Sequence, residues 1–178
     1  MLELTRDELI SRLKDMDKEA YLSFPGNQKY QVIIVGSSAL ILPHYIERKT
    51  MDIDSIHVSN ELYPLLDKYD FNTRAETYIH CLPLNFEDRT ILFLEGRKIN
   101  YFIPSLEDIV IAKLCAARPE DKEDIISKDV LDNMNWELLE QLATGDDELK
   151  AASLNDRIYK DFLYDYGEYV RRYRPCEN

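Results

Sequence analysis

Gln31-Val-Ile-Ile-Val35, followed at once by Gly36-Ser-Ser-Ala-Leu-Ile-Leu42, is the most informative stretch of the chain. Residues 32–35 are an unbroken β-branched run, as expected of a short strand covered on both faces. The glycine and two serines that follow are typical of a tight turn that enters a helix. The stretch therefore predicts a strand–turn–helix unit with its turn at the carboxyl end of a buried strand.

The next predicted strand, residues 51–58, carries two aspartates two positions apart, Asp52 and Asp54. Because successive side chains of a strand point to opposite faces, both carboxylates are expected on one face, with Met51 and Ile53 on the other. Mg²⁺ is commonly held by one or two carboxylates together with substrate phosphates. The spacing fits a metal site, but taken alone it favours an acidic, solvated strand end.

The turn Gly36-Ser37-Ser38 lies at a predicted helix start, where backbone N–H groups and the positive end of the dipole can hold phosphate. The alternative is an ordinary tight turn in which Ser37 or Ser38 only caps the helix. Together with Asp52 and Asp54, the turn predicts a phosphate cradle and a metal pair on neighbouring strands. That is the arrangement that nucleotidyl transfer needs.

The flanking patterns predict an α/β (α+β) fold with a mixed sheet and flanking helices. Thr5 and Glu8 form a capping box before a helix over residues 6–20, and Ser105 is a second capping signal. Glu95-Gly-Arg97 is short enough for a hairpin, which implies antiparallel pairing. Further elements are expected as strands at 78–82, 90–94 and 98–103 and as helices at 60–69, 105–117 and 119–132. The predicted division is a mixed-sheet core over residues 1–104 and a helical C-terminal part over 105–178, packed on the core.

Composition narrows the possible functions. The 178 residues include 22 Lys+Arg and 34 Asp+Glu, and the resulting net charge of −12 argues against extended DNA binding. Three cysteines and three histidines lack the spacing of a disulfide framework or a zinc site. Since no apolar run reaches roughly 18 residues and the first residues do not read as a signal peptide, the expected location is cytoplasmic, without a membrane segment.

Val35-Gly36-Ser37-Ser38-Ala39-Leu40, followed by Arg48-Lys49-Thr50-Met51-Asp52-Ile53-Asp54, resembles the signature of polymerase-beta-like nucleotidyltransferases. Within them, the sequence most resembles the minimal and AbiEii-type bacterial members, many of which are encoded in toxin–antitoxin or phage-defence modules. The resemblance covers about residues 30–125. Its looser downstream parts are Leu82-Pro83, Phe86-Glu87-Asp88-Arg89, Ile103-Pro104-Ser105-Leu106-Glu107-Asp108, Lys113-Leu114 and the stretch from Arg118 to Asp124.

The resemblance implies roles for particular residues. Gly36 and Ser37 would contact the phosphates of an NTP, and Asp52 and Asp54 would bind Mg²⁺ or Mn²⁺. Lys113 would contact phosphate or compensate charge at the active site; the alternative is that it pairs with Asp121 or Asp124 or reaches solvent. Active members usually add a third carboxylate from a later strand, for which this sequence offers Glu76, Glu87 and Asp88.

The leading hypothesis is a Mg²⁺-dependent nucleotidyltransferase that moves a nucleoside monophosphate from an NTP to a hydroxyl on RNA or protein. A cognate toxin or antitoxin is a possible partner. A second hypothesis is a catalytically inactive member that binds a partner through an exposed apolar or tyrosine-rich face of its C-terminal helices. A third, a glycosyltransferase with a metal-bound sugar nucleotide, is disfavoured by the short chain and the Gly-Ser turn.

Two patterns near the C-terminus bear on whether the acceptor of the nucleotide could be RNA. Aromatic and aliphatic residues recur at helical spacing from Tyr159 to Tyr173, which favours a packed helix face over a base-stacking platform. Arg171, Arg172 and Arg174 form the concentrated basic patch of the sequence. Whether this patch can bind RNA depends on its exposure.

Overall fold

The computed structural model describes residues 3–176, so the outermost ends of the two predicted segments, residues 1–2 and 177–178, lie outside it. The chain forms two compact units. The described part of the sheet unit is residues 3–77 together with Thr90–Pro104. The described part of the helical unit is Tyr78–Arg89 and residues 105–176, so residues 78–89 group with the helices rather than with the sheet.

The described part of the sheet unit contains a five-stranded mixed sheet. The strands are β1 (Tyr30–Ile34), β2 (Ile53–Ile56), β3 (Phe71–Asn72), β4 (Ile91–Glu95) and β5 (Ile99–Ile103), in the order β3-β2-β1-β5-β4. Strand β1 lies at the centre, antiparallel to β2 and parallel to β5. The outer strands are β3, parallel to β2, and β4, antiparallel to β5. The predicted mixed sheet is therefore confirmed, including its β4–β5 hairpin.

Helix α1 (Arg6–Ser23) begins with the predicted capping box, in which Thr5 and Glu8 cap one another. Its buried residue Asp17 fastens the β4–β5 hairpin to the helix. Asp17 Oδ1 accepts hydrogen bonds from the backbone N–H groups of Lys98 and Ile99, both at 2.7 Å. Asp17 Oδ2 accepts a third from Arg97 N–H at 2.9 Å. One carboxylate thus satisfies three successive backbone donors of the turn.

The helical unit contains the second predicted cap. Ser105 Oγ accepts a hydrogen bond from the N–H of Asp108 and donates one to Asp108 Oδ2. Arg89 binds both carboxylate oxygens of the fully buried Asp108, at 2.9 and 2.8 Å, and this bond raises the pKa of Arg89. The helices are α4 (Leu106–Ala116), α5 (Pro119–Asp124), α6 (Lys128–Asn133), α7 (Trp136–Thr144), α8 (Leu149–Ala152) and α9 (Asp156–Tyr173).

Helix α9 packs through the predicted aromatic face. Phe162, Tyr166 and Tyr169 are buried, and the Tyr169 hydroxyl donates to the backbone oxygen of Ile125 at 2.8 Å. The rings of Tyr159, Phe162 and Tyr166 stack in succession. The face is used for packing, as its periodicity predicts.

Several predicted elements are wrong in type or length. Residues 78–82 are not a strand: Arg74–Cys81 is a 3₁₀-helix, whose hydrogen bonds are local. The helix expected over 119–132 is divided into α5 and α6, because Ser127 caps a new helix. The segment at 60–69 is a chain of short helices with α3 (Tyr63–Leu66) at its centre, ended by left-handed Asp70. The sequence does not predict strand β3, since two residues carry no periodicity.

None of the helices within residues 3–176 combines the length and the apolar character needed to cross a membrane.

Candidate active site

Antiparallel pairing of β1 and β2 brings the end of the first strand beside the start of the second. Ile34 faces Ser55 in the register, and Val35 N–H donates to the backbone oxygen of Asp54 at 2.9 Å. The turn that follows β1 therefore lies next to the aspartate segment, as predicted from the order of the motifs. The predicted site residues of the sheet unit, Gly36–Ser38 and Asp52–Asp54, therefore lie at the carboxyl end of β1 and the start of β2.

Gly36 and the carboxylate of Asp54 are in close approach. Gly36 has a left-handed backbone with φ of +64°, which side-chain-bearing residues adopt only at a cost. A Cβ atom at this position would lie 2.3 Å from Asp54 Oδ2. Both the backbone conformation and the available space therefore require glycine, and the result is a carboxylate held directly against the turn.

Asn72 binds the other oxygen of the Asp54 carboxylate. Strand β3 pairs with β2 so that Asn72 faces Asp54, and Asn72 Nδ2 donates to Asp54 Oδ1 at 2.9 Å. The other end of the amide is also engaged, because Asn72 Oδ1 accepts from Arg74 N–H at 3.0 Å. Asn72 is not among the residues selected from the sequence. The local signal for it is an Asx-type turn, in which the Asn72 side chain accepts from the N–H two residues later, that of Arg74.

Asp52 lies just before β2 and not within it, so the expectation that both aspartates belong to a strand is wrong for Asp52. Its backbone oxygen accepts hydrogen bonds from Ser38 Oγ at 3.0 Å and from Thr50 Oγ1 at 3.3 Å. Asp52 and Asp54 are both half-buried. The strand is shorter than predicted at both ends, and the two residues before it form a bend to which the hydroxyls of Ser38 and Thr50 bond.

The hydroxyls of the two serines in the turn bond to the segment that precedes β2. Ser38 is buried and bonds to Asp52 as described, while Ser37 Oγ accepts a hydrogen bond from the guanidinium of Arg48. Neither hydroxyl makes a capping bond to α2 (Ser38–Ile41), which is a single turn. Since so short a helix has little macrodipole, any phosphate binding here depends on local donors and on the charge of Arg48.

Of the three residues considered as a third carboxylate, Glu76 is engaged within the sheet unit, and Glu87 and Asp88 belong to the helical unit. Glu76 Oε1 accepts a hydrogen bond from His57 N–H at 2.9 Å, which secures the left-handed residue after β2. Glu87 and Asp88 are exposed residues of a 3₁₀-helix, Phe86–Arg89, in the helical unit. Across residues 3–176, no group of three or more His, Cys, Asp or Glu side chains is arranged to hold a metal ion.

A divalent cation is nevertheless compatible with the residues present. Asp52 and Asp54 are half-buried carboxylates in one short segment, and Asp54 is held against the Gly36 turn. Mg²⁺ takes one or two protein carboxylates when substrate phosphates and water complete its coordination. The donor set therefore fits a cation that binds together with a phosphorylated substrate.

Lys113 lies within the helical unit, on α4. Its side chain is only 3% exposed, and Nζ binds Asp121 and, at 2.8 Å, Asp124 Oδ2. Arg118 Nε binds the second oxygen of Asp121 at 2.7 Å. This is the pairing that the sequence left open as the alternative for Lys113, and a contact between Lys113 and phosphate remains a prediction.

The C-terminal arginines are exposed to different degrees and are paired with acids. Arg171 and Arg172 both bind Glu168, and Arg174 binds Glu140 at 2.8 Å. These glutamates neutralise much of the patch, which weakens the case for RNA binding there.

The thiol of Cys81 is poorly suited to act as a nucleophile. Cys81 is buried in the helical unit, and a hydrogen bond with Cys115 together with burial raises the pKa of Cys81. Its thiol therefore stays protonated at neutral pH.

One family model matches residues 11–174, and the family is described as a nucleotidyltransferase of unknown function (DUF6036). Comparison with curated proteins and with solved structures finds no match. The family description agrees with the general kind of reaction suggested by the Gly36 turn and the adjacent aspartates. Since the match spans most of the sequence, the chain belongs to DUF6036, a family of nucleotidyltransferases whose function is not known.

Proposed function

We propose that this protein transfers a nucleoside monophosphate from an NTP to a hydroxyl on RNA or on a protein, with Mg²⁺ or Mn²⁺ as the cofactor. The observation that carries the proposal is the approach of Asp54 Oδ2 to Gly36. This approach places a carboxylate that could hold a cation next to a turn that could hold phosphate. Nucleotidyl transfer uses both at one place, because the reacting triphosphate and the cation bind together.

In this scheme the residues of the sheet unit have separate tasks. Asp52 and Asp54 would hold the cation, which, when bound, neutralises phosphate charge and polarises the reacting phosphoryl group. Gly36, Ser37 and Ser38 would hold the β- and γ-phosphates, Ser38 through its backbone N–H because its buried hydroxyl donates to Asp52. Arg48, bonded to Ser37, adds positive charge beside the turn. Such local attraction suffices in a chain of net charge −12, since distant charges are screened beyond about 8 Å.

The reaction itself is a displacement at the α-phosphorus. The acceptor oxygen forms the new bond to phosphorus, the bond from the α-phosphorus to the bridging oxygen breaks, and pyrophosphate leaves while the hydroxyl proton is lost to water. The resemblance to AbiEii-type proteins supports a role in a toxin–antitoxin or phage-defence module in the cytoplasm. A cognate toxin or antitoxin would then be a partner of this chain.

Calorimetric titration of each NTP, with and without Mg²⁺, tests the proposal without knowledge of the acceptor. We expect Mg²⁺-dependent binding to the wild type and none to a folded Asp52→Asn/Asp54→Asn variant. The matched control is Glu87→Gln/Asp88→Asn, which also removes two acidic charges but from an exposed helix, and should bind like the wild type. A positive result justifies a search for the acceptor with α-labelled NTP. Absence of NTP binding to the folded wild type contradicts the proposal.

A catalytically inactive, partner-binding protein is the second candidate. It is favoured by the amide of Asn72, rather than a third carboxylate, beside Asp54. The helical unit also exposes apolar surface, with Tyr164 73% and Ile126 42% exposed. This candidate predicts that the folded wild type binds no NTP and that partner binding is unchanged by Asp52→Asn.

A further inference from the structure

Asn72 lies beside Asp54, one of the two carboxylates to which the proposed function assigns the cation. The two residues are register partners on parallel strands, so their side chains project from the same face of the sheet. The distance between Asn72 Nδ2 and Asp54 Oδ1 is 2.9 Å. Asn72 therefore contacts Oδ1 of the carboxylate, whereas the Gly36 turn approaches Oδ2.

The amide of Asn72 turns its nitrogen, not its oxygen, toward Asp54. An amide nitrogen carries two N–H donors and no acceptor, so it cannot ligate a cation. The amide oxygen, which could ligate one, is turned toward Arg74 and accepts a hydrogen bond from its N–H. With both ends of the amide engaged in this way, the protein supplies Asp52 and Asp54 as carboxylate ligands and uses Asn72 to orient one of them.

We infer that Asn72 is a positioning residue that makes divalent-cation binding at this site depend on the nucleotide. Its amide aims Asp54 at the Gly36 turn without adding a third negative charge, so that the phosphates of the NTP must complete the coordination. The inference rests on the proposed function, because that proposal assigns Asp52 and Asp54 as the ligands. It adds that the site binds a cation–nucleotide complex well and the free cation poorly.

The substitution Asn72→Asp should favour binding of the free cation. The new carboxylate could still accept the hydrogen bond from Arg74 N–H, but it would place a third negative charge beside Asp54 in place of a donor. Cation affinity rises with the number of charged ligands, whereas close carboxylates without a cation repel one another. The substitution should therefore create a site that binds a cation alone and that is destabilised when no cation is present.

The experiment is a calorimetric titration of Mn²⁺ alone into the wild type, Asn72→Asp and Asn72→Asp/Asp54→Asn. We expect Asn72→Asp to bind Mn²⁺ roughly tenfold more tightly than the wild type, and the double variant to lose the gain. The melting temperature of Asn72→Asp should fall without metal and recover with Mn²⁺. A folded Asn72→Asp chain with unchanged Mn²⁺ affinity overturns the inference, and so does a wild type that already binds Mn²⁺ tightly without nucleotide.

Asn72→Ala provides a second measurement that does not depend on the folding of Asn72→Asp. Removal of the Asn72 amide, which donates to Asp54, should weaken binding of the Mg²⁺–NTP complex several-fold. It should leave the weak binding of Mn²⁺ alone unchanged. Unchanged Mg²⁺–NTP affinity in Asn72→Ala contradicts the positioning role. The Mn²⁺ titration contains no nucleotide, so the gain in Mn²⁺ affinity of Asn72→Asp tests the inference by itself. A wild type that fails to bind NTP refutes the proposed function, and the two failures can be told apart.

Discussion

A side chain on Gly36 would collide with Asp54, because its Cβ atom would lie 2.3 Å from Oδ2 of the carboxylate. The two residues are distant in sequence and meet through the antiparallel pairing of β1 and β2. Their approach couples the turn to the aspartate segment, so a change at Gly36 should alter both stability and ligand binding.

Gly36→Ala is expected to destabilise the protein and to displace Asp54. The left-handed conformation alone costs a residue with Cβ about 1–2 kcal/mol, and relief of the contact requires the Asp54 carboxylate to move. Urea unfolding should show a lower free energy of unfolding, and calorimetry should show weaker Mg²⁺–NTP binding by the folded protein.

Gly167→Ala is the matched control, because Gly167 lies in α9 with nothing within 4 Å of the position of its Cβ. This alanine should stabilise the helix by about 0.5–1 kcal/mol and leave nucleotide binding unchanged. Unaltered NTP affinity in Gly36→Ala would mean that the approach of Asp54 to the turn has no part in binding.

Lys113→Met distinguishes the two roles left open for Lys113. Removal of the ammonium leaves Asp121 and Asp124 buried without this partner, a change that costs about 3–5 kcal/mol in comparable buried pairs. We expect a large fall in the free energy of unfolding, measured in urea, and unchanged NTP affinity of the folded protein.

Lys122→Met is the corresponding surface control. Lys122 is 57% exposed and its nitrogen is 4.0 Å from Asp165, so its loss should change stability by less than about 1 kcal/mol. If Lys113→Met keeps its stability but loses NTP affinity, Lys113 contacts phosphate instead.

Asp17→Asn should weaken the attachment of the β4–β5 hairpin to α1. The amide nitrogen of asparagine cannot accept a hydrogen bond, and it would face at least one of the backbone N–H groups of Arg97, Lys98 and Ile99. We expect a loss of about 2–3 kcal/mol in the free energy of unfolding. Asp15→Asn, on the exposed side of the same helix, should have little effect. If both variants lost the same free energy of unfolding, the effect would come from helix α1 itself and not from its contact with the hairpin.

Local patterns predict much of the fold correctly. Thr5 and Ser105 begin helices because their side chains satisfy backbone donors within three residues, which is a purely local requirement. The β4–β5 hairpin follows from its short connection. Elements whose form depends on distant partners are predicted less well: β3 exists only through its pairing with β2, and residues 78–81 belong to a 3₁₀-helix although their sequence favours a strand.

The candidate site divides in the same way. Gly36, Ser37, Ser38, Asp52 and Asp54 can be selected from their residue types and order, because a turn after a buried strand and a carboxylate pair are local features. Asn72 cannot, since its importance arises from register pairing with Asp54. The sequence offers the contact of Lys113 with Asp121 and Asp124 only as one of two options, because spacing along a helix does not reveal burial.

Residue order and type are thus sufficient for the strand–turn–helix unit, the aspartate pair and the capped helices, because each depends on interactions within a few residues. The approach of Asp54 to Gly36, its hydrogen bond to Asn72 and the buried pairing of Lys113 depend on chain packing. Hydrogen bonds and steric exclusion act over distances of a few ångströms, and only the folded backbone brings these groups that close together.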